Sequence, residues 1–422
     1  MRIKEIDAFE ILDSRSNPTV EAIVKLENGI IGRSMAPSGA STGSKESLEL
    51  RDGDDARFGG KGVLTACKNI KGKIFPAIRD IDVTQQRELD ERMLELDGTE
   101  NKSNLGANAI VAVSLAVCQA SAKHSKMELW EYIQHTYNLK KRKDYAFPVP
   151  MMNVINGGEH ADCGLDIQEF MLVPSGVSGF FEKIRAGSEI YHSLAGILKE
   201  NGYRTAVGDE GGFAPALSSN EEALKIIIDA IGRAGYQTGV EINTGIDAAA
   251  SEFFDKKENR YNLKLDEVSM DGRQLGSMYK EWSEKYNLEL IEDPMSEFDW
   301  DGWIDFQKNI GDRATVIGDD LLVTNKRLVQ TAAERKACNA VLIKVNQVGS
   351  LSETIDCILT ARENNMKIAV SHRSGETPDD FISDLAVAVE AEYVKFGAPA
   401  RGERIAKYNR LIEIERNWRW LG

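Results

Sequence analysis

The feature that most constrains this chain is a series of short apolar runs in its second half, each closed by a charged or polar side chain. Asp247 follows Val240 to Ile246, Glu292 follows Leu288 to Ile291, Asp319 follows Val316-Ile317, and Lys344 follows Val341 to Ile343. His372-Arg373 ends the run from Lys367 to Ser371, and Lys395 ends Tyr393-Val394. Positions 247, 292, 319, 344, 373 and 395 are separated by steps of 45, 27, 25, 29 and 22 residues, and each short step holds one strand plus one return helix. Amphipathic segments fill the intervals, as at Glu221 to Ala234 and Thr324 to Arg335. Such βα units predict a mainly parallel sheet. If it closes into a (βα) barrel, the strand ends point at one centre and six polar groups meet on one rim. An open doubly wound sheet is the rival, and it would draw chemistry from fewer neighbouring strands.

The first third reads differently. Val20, Ala22, Val24 and Leu26 alternate with more polar neighbours, and Asn28-Gly29 supplies a hairpin turn, so residues 1 to about 36 are expected to open with an antiparallel meander. From Lys61 to about Gln134 the pattern is helical, with Leu89, Met93 and Leu96 on one face. This is an α+β domain, and the charge run at 140–144 marks the boundary, giving domains 1–138 and 139–422. With 422 residues the chain is too long for one ordinary core.

Charge and cysteine usage exclude several function classes. Against 67 acidic residues stand 52 Lys and Arg, a formal charge of −15, which argues against nucleic-acid binding. The five Cys lie far apart with no CxxC pair, so neither a disulfide framework nor a structural zinc site is expected, and a reducing cytoplasmic setting fits. No signal peptide is visible at the N-terminus. The uncharged stretch Ser103 to Ala122 is Ala-rich and carries Asn104, Asn108, Ser114, Gln119 and Ser121, so it reads as a buried helix and not as a membrane span.

Asp247, Glu292 and Asp319 gathered at strand ends would repel one another and raise each other's pKa unless a divalent cation resolved the charge. Oxygen ligands without Cys or His point to a hard ion, Mg²⁺ or Mn²⁺. Each carboxylate alone reads more simply as a salt bridge or a helix cap. Lys344, Arg373 and Lys395 are cations at the ends of apolar strands, and the acidic cluster is the natural partner for them. A lysine beside a divalent ion and other cations is expected to have its pKa lowered toward neutrality and to act as a base. Arg373-Ser374-Gly375 suits a phosphate or carboxylate. Two glycine-bearing loops, Ser38 to Gly43 and Asn156 to Ala161, are suited to closing over a ligand, and the first lacks the spacing of a nucleotide P-loop. Gly208-Asp209-Glu210-Gly211-Gly212 is either an acidic turn or an exposed catalytic carboxylate.

Taken together, the motifs resemble the enolase family. They are Ser38-Gly-Ala-Ser-Thr-Gly43 with Glu49-Leu-Arg-Asp-Gly-Asp54, Asn156-Gly-Gly-Glu-His-Ala161, Gln168-Glu-Phe-Met171, Val207-Gly-Asp-Glu-Gly-Gly212, Gly318-Asp-Asp320, Leu342-Ile-Lys-Val-Asn-Gln347 and Ser371-His-Arg-Ser-Gly-Glu-Thr377. The likeness runs from about Ile6 to Glu415. It implies an N-terminal α+β capping domain followed by an enolase-type (βα)8-like TIM barrel. It also implies reversible dehydration of 2-phosphoglycerate to phosphoenolpyruvate, in glycolysis and gluconeogenesis, with two Mg²⁺ per active site once substrate is bound.

By the same resemblance Lys344 is the general base and Glu210 the general acid, with Glu169 and His160 assisting catalysis. Substrate binding falls to Gln168, His160, Glu169, Lys344, His372, Arg373, Ser374 and Lys395. Asp247, Glu292 and Asp319 are the ligands of the first Mg²⁺, and Ser41 joins with the second. The resemblance further implies a cytoplasmic homodimer or an octamer built from dimers. Two departures stand out: Ser16 where the family usually has Gly, and Pro378 where an acidic residue is common. A related phospho- or phosphono-acid as substrate, and a non-catalytic binding role, are the alternative readings.

Overall fold

The computed structural model of the protein describes residues 1–39, 43–142, 146–161 and 163–421, with residues 419–421 described by backbone alone. The chain opens with β1 (Ile3–Leu12), β2 (Pro18–Leu26) and β3 (Ile31–Met35), an antiparallel meander in that order. Its turn is the expected one, with Gly29 at φ +85° and Leu26 N–H donating to Ile30 O at 2.9 Å. Val20, Ala22, Val24 and Leu26 are fully buried, on the core side of the sheet. The uncharged stretch becomes α2 (Ala107–Ser125), preceded by α1 (Gln86–Asp97). Every residue from Ala107 to Cys118 is buried, and β3 approaches α2 so closely that a Cβ on Gly32 would lie 2.0 Å from Ala116 O.

The expected helical face of α1 is buried over only part of its length. Leu89 and Met93 are buried, but Leu96 is 40% exposed. The stripe continues instead through Asp97, whose carboxylate accepts the N–H groups of Asn104 and Leu105 at 3.1 and 2.7 Å, so a polar cap takes the place of the apolar contact.

The second domain is built on a nine-strand sheet. Its strands are β4 (Val149–Pro150), β5 (Met152–Asn156), β6 (Glu169–Val173), β7 (Asn243–Asp247), β8 (Leu288–Glu292), β9 (Thr315–Gly318), β10 (Ala340–Ile343), β11 (Lys367–Ser371) and β12 (Tyr393–Lys395), in the order β4-β12-β11-β10-β9-β8-β7-β6-β5. Only Met151 separates β4 from β5, and its N–H donates to Val394 O at 2.8 Å. One stretch of chain therefore pairs with the last strand at its start and with β6 at its end, which closes the sheet into a barrel. Met171, Val173, Leu290, Ile317, Ala340, Leu342 and Ala369 form a cluster of their own, while alternate residues such as Phe170, Ile291, Val341 and Val370 join the larger core.

The expectation of a parallel sheet needs one amendment. β6 pairs antiparallel with both β5 and β7, and the other pairings are parallel. Because β6 runs backwards, its first residue and not its last lies at the rim: Glu169 sits opposite Asp247, and Asp247 opposite Glu292. The run expected from Val240 also starts late, at Asn243, because Glu241 and Ile242 donate to Gln237 O in a turn.

Between the strands lie α4 (Phe180–Glu200), α5 (Asn220–Arg233), α6 (Gly272–Tyr286), α7 (Trp300–Ile310), α8 (Lys326–Arg335), α9 (Leu351–Glu363) and α10 (Phe381–Ala388), with α3 (Leu129–Thr136) before the barrel and α11 (Gly402–Leu421) after it. Thr324 to Arg335 was expected to be helical, and the helix begins at Lys326 because Asn325 caps it, accepting from Arg327 and Leu328 N–H.

The loop between β1 and β2 reaches the barrel. Ser14 N–H donates to Glu376 O at 2.7 Å, and Ser14 Oγ accepts Glu376 N–H at 3.0 Å. Within this loop Ser16 has φ +59°, a left-handed conformation that costs an L side chain about 1–2 kcal/mol. Ser16→Gly is therefore expected to raise stability by about 1 kcal/mol after the extra entropy of glycine in the unfolded chain is counted. A urea unfolding midpoint that stays the same or falls would show that the loop carries no such strain.

Candidate active site

The strand ends bring the expected residues to one rim. Lys395, the last residue of β12, places its ammonium 2.8 Å from Glu292 Oε1, 3.0 Å from Asp247 Oδ2 and 3.0 Å from Glu169 Oε1. All four side chains are buried. Lys344 follows β10, its N–H held by Thr324 Oγ1 at 2.9 Å, and its ammonium is ion-paired with Asp319. Asp319 also accepts Gln347 Nε2 at 3.0 Å. Beside Asp247, Gln168 Nε2 donates to Oδ2 at 3.2 Å.

Next to this cluster is a second one. Ligand atoms of His160, Glu169 and Glu210 lie within 4.8 Å of one another. His160 Nδ1 is 3.7 Å from Glu169 and 3.6 Å from Glu210, while His372 Nε2 is 3.3 Å from Glu210 Oε1. Asn153 Nδ2 donates to the other Glu210 oxygen at 3.0 Å. The loop carrying Glu210 packs tightly against the site, since a Cβ on Gly208 would lie 2.7 Å from His160 O and 2.9 Å from Asn156 Cβ.

The N-terminal domain touches residues beside the cleft. Arg373 donates to Glu46 at 2.9 and 3.2 Å and to Asn346 Oδ1 at 3.2 Å. Ser38 and Gly375 exchange backbone hydrogen bonds of 2.7 and 2.8 Å beside Ser374. His160, Gln168, Glu169, Glu210, Asp247, Lys344, His372, Arg373, Ser374 and Lys395 line one cleft, with Glu292 and Asp319 held against it through the two lysines. Ser41 lies outside the described residues.

The electrostatics follow from burial and partners. Burial, followed by the Asp247 charge, pushes the Glu292 carboxyl well above the usual range. Burial, followed by the Glu210 charge, does the same to Glu169, whereas at Glu210 the effect of burial is outweighed by His160 and His372, which hold that carboxyl well below the usual range. Burial lowers the His160 imidazole below its ordinary value and brings His372 down to about 4. Lys344 departs from expectation: burial lowers it, but Asp319 outweighs burial and holds it above the ordinary lysine value. The lowering expected of a lysine beside cations is absent because the Asp319 carboxylate is ion-paired with its ammonium.

Asp247, Glu292 and Asp319 occupy three neighbouring strand ends, yet they are not among the groups whose oxygens all lie within 4.8 Å; besides the histidine cluster, that group is Asp293, Asp319 and Asp320. The two ammonium groups are paired with them, Lys395 with Asp247 and Glu292, and Lys344 with Asp319. Asp293 is committed elsewhere, accepting Asp319 N–H at 2.8 Å and Asp320 N–H at 2.9 Å, so it fixes the loop. A cation fits the expected trio by two observations: Glu292 Oε2 is buried without a hydrogen-bond partner among the described residues, and the Lys395 ammonium already stands as a positive charge between Asp247 and Glu292. All donors are oxygens, which suits a hard divalent ion.

Several of these residues were not found from the sequence. Asn153 carried a weak signal, being polar within an apolar strand, and Glu46 follows a glycine loop. Gln347 entered only as the last residue of a family motif, with no role given to it.

Comparison with known proteins decides what this geometry belongs to. Residues 3–133 match the model of the enolase N-terminal domain, and residues 144–419 that of the enolase C-terminal TIM barrel domain. The chain belongs to the enolase family. It is also 50% identical over 414 residues to a protein named enolase from Elusimicrobium minutum (strain Pei191), covering 98% of this chain and 96% of that relative. As a member of this family the chain is a metal-dependent lyase of the phosphopyruvate hydratase type.

Proposed function

We propose that the chain interconverts 2-phosphoglycerate and phosphoenolpyruvate with Lys344 as base and Glu210 as acid, and that its metal is Mg²⁺. The observation that supports this reading is the meeting of Lys344 and Glu210 in one cleft with Asp247, against which Glu292 and Asp319 are held by the two lysines. Lys344 Nζ takes the proton α to the substrate carboxylate, and Glu210 gives a proton to the departing hydroxyl, which leaves as water. Asp247, Glu292 and Asp319, with Ser41 for a second ion, would hold Mg²⁺, which would supply positive charge to the substrate carboxylate as it gains a second negative charge.

Asp319 couples these parts. Its carboxylate now holds the Lys344 ammonium, and engaging that carboxylate elsewhere removes the interaction that keeps Lys344 charged. Arg373 and Ser374 bind the phosphate, and Arg373 must exchange its Glu46 partner for that dianion. Lys395 and His372 hold the substrate in the cleft, Gln168 and Glu169 surround the leaving hydroxyl, and His160 closes the cleft from its loop. Among the described residues no helix is long and apolar enough to cross a membrane.

The domain division at 138/139 is part of the same proposal and is supported by family models ending at 133 and resuming at 144. So are a cytoplasmic setting, supported by five cysteines that lie far apart in the sequence, and a homodimer or octamer of dimers, supported by Phe9 and Leu12, which leave 44% and 56% of their surface exposed on the edge strand β1.

The test is the absorbance of phosphoenolpyruvate formed from 2-phosphoglycerate. Turnover is expected with Mg²⁺, loss of essentially all activity with a chelator, and recovery when Mg²⁺ is restored. Turnover indifferent to the chelator, or none with Mg²⁺ present, would overturn the reading.

A further inference from the structure

The side chain of Arg404, in the first turn of α11, is completely buried, and its contacts converge on the acid side of the cleft. Nη1 lies 2.6 Å from His372 Nδ1 and donates to Arg373 O at 2.5 Å. Nη2 donates to Asp209 O at 3.1 Å and to Ser374 O at 2.7 Å. One rigid fork thus ties the loop bearing Glu210 to the loop bearing His372, Arg373 and Ser374.

The His372 contact has a chemical consequence. A guanidinium offers donors and no acceptor, so the ring nitrogen facing it must be the unprotonated one. A neutral imidazole then carries its hydrogen on Nε2, and that atom faces Glu210 Oε1 at 3.3 Å. Burial and the Arg404 charge both keep the ring neutral. The ring cannot swing aside easily, since a Cβ on Gly397 would lie 2.9 Å from His372 Cε1 and 3.2 Å from Arg404 Cδ.

We infer that Arg404 is a positioning residue which, by donating to His372 Nδ1, fixes the Nε2–H tautomer aimed at Glu210 and so steadies the carboxylate that remains once Glu210 has given its proton away. The inference rests on Glu210 being the acid. Asn153 donates to Oε2 and His372 Nε2 stands 3.3 Å from Oε1, so both set a positive partial charge beside the carboxylate, which favours release of the proton to the leaving hydroxyl. The hydrogen bonds of Arg404 reach His372, Arg373, Ser374 and Asp209 and not Lys344, the proposed site of C2 proton removal.

The experiment uses full-length protein labelled with ¹⁵N-histidine. The chain has only five His, and the His372 signals are assigned by their loss in His372→Gln. In the wild type, His372 is expected to show an unprotonated Nδ1 and a protonated Nε2 at neutral pH, a result that needs no variant to fold. Arg404→Lys keeps the charge and loses the fork, so the tautomers should mix. In that variant product formation should fall about 10- to 100-fold, while solvent exchange at C2 of 2-phosphoglycerate stays within about threefold of wild type. A protonated Nδ1 in the wild type, an unchanged tautomer in Arg404→Lys, or equal loss of exchange and product would overturn the inference. If Glu210→Gln instead stops exchange and product alike, the acid assignment fails while the tautomer measurement still stands.

Discussion

Lys344→Ala is expected to abolish exchange of the C2 proton of 2-phosphoglycerate with solvent, a loss on the order of 10⁴-fold, the upper end of what a positioned base contributes. The lysine is the one cation on the rim whose partner is Asp319 alone; Lys395 is shared among three carboxylates and is held well above the ordinary lysine value after burial is overcome by Asp247 and Glu169. Of the two, Lys344 is the one that can be freed by a single competing charge. Removing it leaves Asp319 without its ammonium, so the variant should still take up Mg²⁺. Exchange at the normal rate in the variant would remove Lys344 as the base.

Glu210→Gln should behave in the opposite way, sparing exchange at C2 and reducing product formation by about 10²- to 10⁴-fold. The amide keeps the volume of Glu210, which is needed because Asn153 and His372 pack on its two ends, but it has no proton to give. Exchange persists because Lys344 lies among Asp319, Arg373 and Glu292, outside the cluster of His160, Glu169 and Glu210. Exchange and product lost to the same extent would contradict this division of labour.

The barrel was legible because its signal is local: an apolar run, a polar ending and a helix, repeated at 22 to 29 residues after the first long step. What periodicity does not carry is strand direction. β6 reads as an apolar strand either way, and only the pairing partners on both sides show that it runs backwards and brings Glu169 to the rim by its N-terminal end. Residues that act across the fold were equally silent. Arg373 meets Glu46 from a position 327 residues away, and Arg404 meets Asp209 across 195, so no window of sequence holds both partners. The ion pair of Lys344 with Asp319 escaped for another reason: both were expected at the rim, but which counter-ion each would choose depends on strand-end geometry.

The most direct test is a crystal structure with Mg²⁺ and 2-phosphoglycerate bound. The expected result is an ion held by carboxylate oxygens of Asp247, Glu292 and Asp319 at about 2.0–2.1 Å, with Lys344 Nζ facing C2 of the substrate and Glu210 on the side of its hydroxyl. An ion seated instead among Asp293, Asp319 and Asp320, or among His160, Glu169 and Glu210, with Asp247 and Glu292 still clasping Lys395, would contradict it.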